Sequence, residues 1–333
     1  MQQAATAPMD YPPLPSIREN ISISSQSGDP TIAILLCTYN GEAYLRSQIE
    51  SYLSQTYQHW RLYVSDDGST DGTMTILQEY LTSLGSRMIL LNGPKKGFAQ
   101  NFMSLIRNEE IHYDFYAFSD QDDIWLPEKL ARSLAAVAGH EKTKPFLYCS
   151  RTRLIDQHGN VLGLTPLFEK LPGFRNALVQ SIAGANTMLI NETTRRLLAR
   201  TDQHAAIVAH DWLAYLIVSG CGGTVVYDPE PTLLYRQHGA NLIGANTGAR
   251  NRMRGIREMM AGRFKNWNDK NSLILKTYVS FLTSENRVVL EKFNTLRKSR
   301  LLRRILFLRE IRLYRQTRAG TVSLYAAIVA NKI

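Results

Sequence analysis

The chain has 333 residues, 44% of them hydrophobic and 20% charged, enough to bury a sizeable core as one large domain or two ordinary ones and too much for a peptide-scale binder. Its formal charge of +10 is uneven: residues 251–333 carry 19 Lys+Arg against 5 Asp+Glu, while residues 1–250 carry 20 against 24. The basicity therefore belongs to the tail, which suits a polyanion such as nucleic acid or an anionic membrane face, and the acidic chemistry belongs to the remainder.

Residues 1–30 are rich in Pro, Ser and Gln and poor in large apolar groups, so they are expected to form a flexible arm. The fold is expected to begin near Thr31. "TIAILLC" at 31–37 is a continuous apolar, β-branched run closed by "YNG", the pattern of a strand buried on both faces of a parallel sheet. Leu45, Ile49, Tyr52 and Leu53 then recur at three- and four-residue steps, predicting a one-faced helix within 42–57. A second strand, "WRLYVSD", runs into "DDGSTDGT", where Ser69, Thr70 and Asp71 can cap the helix "MTILQEYL".

Strand "MILLN", loop "GPKKGF", helix "AQNFMSLIRN" and strand "DFYAFSD" follow, so a doubly wound, mostly parallel α/β sheet is expected. After Lys144 the pattern mixes strands "PFLYCS", "TMLI" and "GTVVYD" with the helix "DWLAYLIVSG", and beyond Gly248 it becomes helical and basic. Ligands of such sheets bind at the carboxyl ends of the strands. The three polar clusters "CTYNG", "SDDGS" and "SDQDD" all fall there, which points to one pocket.

Asp120, Asp122 and Asp123 lie within four residues, and three like charges so close raise one another's pKa unless a cation or a solvated turn relieves them. Hard cations such as Mg2+ or Mn2+ favour carboxylate oxygens and share their coordination with water and substrate phosphates. Two or three acids can therefore recruit a metal that arrives with a diphosphate. Cys37, Cys149 and Cys221 are odd in number and far apart, so they make neither a disulfide framework nor a C-x-x-C knuckle, and Cys37 and Cys221, which lie in apolar runs, are expected to be buried as small hydrophobes.

Taken in order, "LLCTYNGEAYLRSQIESYLSQTY", "WRLYVSDDGSTDGT", "GFAQNF", "FSDQDDIWLPEKL", "HDWL" and "YRQHGAN" closely resemble the family 2 inverting glycosyltransferases of GT-A fold, over about residues 31–245. The set is most like the bacterial rhamnosyltransferase-type enzymes of polysaccharide assembly. The resemblance implies that Thr38, Tyr39 and Asn40 hold the nucleotide base, with the Tyr39 ring available for stacking. It implies that Asp67 accepts the pyrimidine N–H, and that Gly97 and Asn101 face the nucleoside. Asp120 and Asp122 match the D-x-D element, Asp122 as direct metal ligand and Asp120 nearer the ribose. His238 matches the histidine that completes the metal or diphosphate shell. Gly184 matches the glycine loop along the donor sugar, and Asp211 the general base. The family often has Glu before that Asp, where this chain has His210.

A nucleotide-sugar donor, dTDP-rhamnose or a UDP-hexose, and a glycan or lipid-linked acceptor are then the expected partners, with "LTPLFEKLPGF" at 164–174 on the acceptor side. The processive Q-x-x-R-W motif is absent. Trp125 and Trp212 are expected as core anchors and Asp66 and Asp71 as turn and cap formers. A sugar-phosphate nucleotidyltransferase would carry a glycine-rich basic loop after its first strand, unlike "CTYNGEAYL", and a non-catalytic sugar-binding scaffold would not need Asp122, Asp211 and His238.

The expected organisation is an arm over 1–30, a GT-A domain over 31–248 and a basic helical extension over 249–333. The extension's apolar arc of Leu301, Leu302, Ile305, Leu306 and Leu313 is interrupted by Arg309 and Arg312, a pattern for an interfacial helix or for packing on the catalytic domain. No aromatic-basic motif supports nucleic acid, so none is expected as a partner. With no apolar run of bilayer-spanning length and no signal-peptide order at the start, a cytoplasmic protein, peripheral at the inner face of the plasma membrane, is expected.

Overall fold

A computed structural model of the chain describes residues 28–238 and 262–333. Most of the expected arm, and the expected boundary at 248/249, lie outside those residues. The first half runs β1 (Ile32–Thr38), α1 (Leu45–Leu53), β2 (Trp60–Asp66), α2 (Thr73–Leu84), β3 (Met88–Asn92), α3 (Phe98–Arg107), β4 (Phe115–Ser119), β5 (Ile124–Trp125), α4 (Lys129–Ala135) and β6 (Phe146–Ser150). There follow β7 (Arg153–Ile155), β8 (Val161–Leu164), α5 (Phe174–Ala177), β9 (Leu189–Asn191), α6 (Glu192–Ala199), α7 (His210–Gly220), β10 (Thr224–Asp228) and β11 (Leu233–Arg236). The described tail consists of α8 (Arg263–Thr277), α9 (Ser284–Lys298), α10 (Leu301–Ile311) and α11 (Arg318–Val329).

The central sheet has the order β10-β6-β9-β4-β1-β2-β3. Its pairings are parallel except at β9, which runs antiparallel to both β4 and β6. Every residue of β1 is buried, and the alternation of its side chains feeds two cores. Ile32, Ile34 and Leu36 pack with Ile49 and Tyr52 of α1 and Leu77 of α2, whereas Ala33, Leu35 and Cys37 face Phe102 of α3 and Leu213 of α7. This is the expected α/β architecture, with Trp125 and Trp212 in its interior.

A second, four-stranded sheet of order β5-β11-β7-β8 has no counterpart among the predicted strands. Its members are two to four residues long, too short for an alternation to stand out. It nevertheless positions the site. Antiparallel pairing of Leu233 with Trp125 and Leu234 with Ile124 lays the chain that leads to His238 beside the chain that leaves the acidic loop.

The tail helices join the core on the α3/α7 side of the sheet through Phe264, Leu275, Tyr278, Phe293 and Ile328. A connecting strap then grips the catalytic half by its backbone. Arg175 Nε donates to the Ile311 carbonyl at 2.8 Å, Asn176 Nδ2 to that of Tyr314 at 3.0 Å, and Arg315 Nε to that of Val179 at 3.3 Å. Leu313, grouped in the sequence with the exposed arc, is fully buried beneath this strap. Because Phe293 belongs to the shared core, Phe293→Ala is expected to lower the unfolding free energy by about 3–5 kcal/mol. Denaturant titration followed by circular dichroism and by tryptophan emission should give one coincident transition. Two separate transitions would mean that the tail folds on its own.

Candidate active site

The pocket is built at the carboxyl ends of β1, β2 and β4. After β1 the chain turns through Asn40, whose φ of 49° lies in the left-handed region where Asn is among the best tolerated residues. The turn is tied to the next strand's loop: Asn40 N donates to Ser69 Oγ at 2.8 Å, and Asn40 Oδ1 accepts from Thr70 N at 2.8 Å. Thr38 is buried and donates its hydroxyl to Asp66 Oδ2 at 2.9 Å. Asp66 also accepts from the Gly68 and Ser69 amides, and Asp71 from the Thr73 amide, the turn and cap roles expected of them. Between these fixed points the Tyr39 ring stands 57% exposed, an open aromatic face at the rim.

Asp67 uses both oxygens on the next loop, accepting from Lys95 N at 2.6 Å and from Gly97 N at 2.8 Å. Each oxygen keeps a second lone pair, so the clamp leaves it able to accept from a ligand. Gly97 has a φ of 83°, which a side-chain-bearing residue adopts only under strain. Asn101 lies below this surface: buried, it donates to the Ser65 carbonyl at 2.9 Å and accepts from Ser65 Oγ at 2.6 Å. Its side chain holds the start of α3 against β2 and does not line the pocket.

The acidic loop follows β4. Asp122 Oδ2 lies 2.8 Å from His238 Nε2, and the two side chains are only 18% and 12% exposed. Asp120 is pushed up to about 8, first by burial and then by the charges of Asp122 and Asp211. Asp211, at the first turn of α7, is raised to about 6 by burial, against the hydrogen bond from the Trp212 amide at 2.6 Å. Asp120 thus lies within electrostatic range of Asp122 on its own loop and of Asp211 on α7. Among the described residues no group of three or more His, Cys, Asp or Glu side chains is placed to hold a metal ion. Asp122 with His238 offers two ligands, which suits a hard cation that takes its remaining oxygens from water and a diphosphate.

The third acid of the loop escaped assignment in the sequence. Asp123 is wholly buried; it accepts from Asn186 Nδ2 and, at 3.1 Å, from the backbone N–H of Arg236. One carboxylate therefore joins the acidic loop, the turn after Gly184, and the strand leading to His238. A Cβ on Gly184 would sit 2.8 Å from Asn186 Oδ1, so any larger residue there presses on the side chain that reaches Asp123. Arg236 adds a bond from Nε to the Asp122 carbonyl at 3.1 Å, and its guanidinium lies 4.6 Å from the Tyr44 ring, which also leans on His238 at 5.0 Å. Tyr44 and Arg236 stand in the quoted motifs, yet no local spacing betrays that they meet.

Two buried bases complete the surroundings. The Lys129 ammonium lies 4.6 Å from the Trp125 ring, and burial lowers its pKa to about 7 against the opposing pull of Asp123. His210 stacks on Phe102 at 4.0 Å with Phe98 and Phe118 at its edges, and burial lowers it to about 3, so it remains a neutral wedge fixing the start of α7.

A mostly parallel sheet flanked by helices, with an acidic loop and a facing histidine at its carboxyl edge, defines the nucleotide-sugar-dependent glycosyltransferases of GT-A fold. Residues 33–200 match Glycosyl transferase family 2, and the chain belongs to that family. A dTDP-rhamnosyl transferase of Shigella flexneri is 29% identical over 221 residues, covering 63% of this chain and 74% of that protein. A mannosyltransferase from Pyrobaculum calidifontis, in complex with GDP-Man and Mn2+, superposes with a TM-score of 0.51 at 14% identity over 92% of this chain and 86% of its own. Residues 1–349 of S. aureus TarS, in complex with UDP-GlcNAc, give 0.51 at 13% identity over 91% and 89%.

The Asn186 amide satisfies a buried charge, and removing it leaves that charge short of a donor. Asn186→Ala is expected to destabilise the fold by about 1–3 kcal/mol. Chemical denaturation reads this directly, and an unchanged free energy would show that Asp123 does not depend on the amide.

Proposed function

We propose that this glycosyltransferase is inverting and metal-dependent, and moves a hexose from a nucleotide-sugar to a hydroxyl of a growing bacterial surface polysaccharide or lipid-linked glycan. Rhamnose from dTDP-rhamnose is the favoured donor sugar, on the likeness to the Shigella flexneri transferase, with a UDP-hexose as the alternative. The observation that carries the reading is the convergence of Asp122 and His238, 2.8 Å apart, with Asp120 in electrostatic range of Asp122 and Asp211. Residues 31–248 form the transferase unit in this view and 249–333 its basic extension, whose described helices share the core.

Tyr39 stacks on the base beside Thr38 and Asn40. Asp67, Gly97 and, from beneath, Asn101 shape the nucleoside loop, and Asp120 faces the ribose. Asp122 and His238 hold Mg2+ or Mn2+, whose chemistry is to neutralise charge on the departing diphosphate. Gly184 leaves room along the sugar. Asp211 takes the proton of the acceptor hydroxyl as its oxygen attacks the anomeric carbon from the face opposite the leaving group, which inverts the configuration. A base near 6 is ionised at neutral pH and still accepts a proton readily. Among the described residues no helix is long and apolar enough to cross a membrane, and the protein works as a peripheral partner of the membrane that carries its acceptor.

A ligand that binds only the folded state raises the melting temperature. UDP, dTDP and GDP, each with and without Mn2+, should therefore separate the donor base, and no stabilisation by any of them would overturn the proposal. Asp122→Asn should lose the metal-dependent part of the shift more completely than Asp120→Asn. Asp211→Asn should bind donor normally and lose roughly 10²–10⁴-fold in transfer rate. Because a raised pKa means that the base form is lost as pH falls, the wild-type rate should drop below about pH 6 through a single protonation. Survival of that acid limb in Asp211→Asn would assign it to another group.

A further inference from the structure

The outward side of α10 is apolar. On a 3.6-residue repeat Leu301, Leu302, Ile305 and Leu306 share one arc, opposite the buried Ile311. Leu302 is 79% exposed and Leu306 60%. Its inner side is apolar as well, with Phe307 and Leu308 half-buried against the core and Ile311 fully buried, so the outward arc is apolar surface beyond what packing on the core uses. Around the arc stand Lys298, Arg300, Arg303, Arg309 and Arg312, exposed and without an acidic partner among the described residues. The nearby acid Glu310 is taken by Lys292 at 2.7 Å. Lys298, Arg300 and Arg303 also line a cleft of about 400 Å³ at the α9–α10 junction.

The apolar surface continues along connected elements. α11 turns Val322, Tyr325 and Val329 outward while Leu324, Ala327 and Ile328 face the core. Arg304 of α10 binds the Val329 carbonyl at 3.1 Å, joining the two helices. At the other end of α11, Lys170 Nζ donates to Thr321 Oγ1 at 3.3 Å, and the residues next to that bond are Leu171 and Val322, 85% and 69% exposed. Exposed apolar side chains thus occur on α10, on the helix bonded to it, and on the segment bonded to the far end of that helix.

We propose that this surface docks on an anionic phospholipid bilayer. α10 lies in the interface plane with its four apolar side chains among the acyl chains and its flanking Lys and Arg at the headgroup phosphates. Charge complementarity selects the occupant: residues 262–333 carry 16 Lys+Arg against 4 Asp+Glu, and exposed cations stand at both ends of the apolar arc, Lys298, Arg300 and Arg303 at one and Arg309 and Arg312 at the other. The purpose of the contact rests on the reading of a membrane-borne acceptor, which the bilayer would present beside residues 164–174.

The test uses the full chain without nucleotide and vesicles of phosphatidylglycerol or of phosphatidylcholine at low salt. The protein should co-sediment with the former and hardly with the latter. Leu302→Gln with Leu306→Gln should keep the melting temperature and weaken vesicle association by roughly tenfold or more, whereas Leu273→Gln, on exposed α8 surface, should leave it unchanged. In a Leu306→Trp variant, emission should move to the blue on phosphatidylglycerol vesicles beyond any change in wild type. No association by the wild-type chain, full association by the double variant, or no blue shift on bound vesicles would each overturn the proposal. Donor binding is read separately by nucleotide thermal shift, so failure of the lipid surface and failure of the glycosyltransferase reading give different results.

Discussion

Repulsion among carboxylates is the constraint to which the rest of this structure answers. Asp120, Asp122, Asp123 and Asp211 crowd one edge of the sheet, where burial strengthens every like-charge term. The fold meets it differently at each position. Asp122 has the His238 ring, Asp123 has the Asn186 amide and the Arg236 N–H, and Lys129 lies within range below. Those bonds do not cancel the repulsion: burial and the neighbouring carboxylates still hold Asp123, like Asp120, above the usual carboxylate range, and burial raises Asp211 as well.

The small sheet and the tail make sense as answers to the same constraint. Without the pairing of β5 with β11, His238 would have no reason to lie beside Asp122. The strap over 311–316 performs a similar service for the opposite wall: by holding Arg175, Asn176 and Val179 it fixes the chain that leads to Gly184, and the Trp212 indole pins the base of α7 to Ala177 at 2.6 Å. The basic extension is thus part of the scaffold on one side, whatever its other side meets.

The central sheet was readable because its strands are buried on both faces and announce themselves as unbroken apolar runs; "TIAILLC" needed no partner to be recognised. The polar clusters were readable because strand ends interrupt such runs. The second sheet was not, since β5 has two residues and β7 three, and both are joined to β11 from far along the chain, Trp125 to Leu233 and Arg153 to Leu234. Asp123 looked like its neighbours because sequence carries no burial. Asn101 matched a motif yet turns to Ser65, and Leu313 belonged by spacing to the arc of Leu302 although the chain leaves the helix before reaching it. Helical periodicity tells which residues share a face, and only tertiary packing tells which face is inside.

The bond between Asn186 and Asp123 gives the pocket a mechanical property. The turn after Gly184 and the loop bearing the acids are fastened through a buried carboxyl group, so neither can swing away without stranding it. Whatever steadies one wall steadies the other, and thermodynamic reciprocity requires that help to run equally in both directions. If the donor sits as proposed, a sugar against the turn at Gly184 and a cation at the acidic loop would each tighten the hold on the other by the same factor.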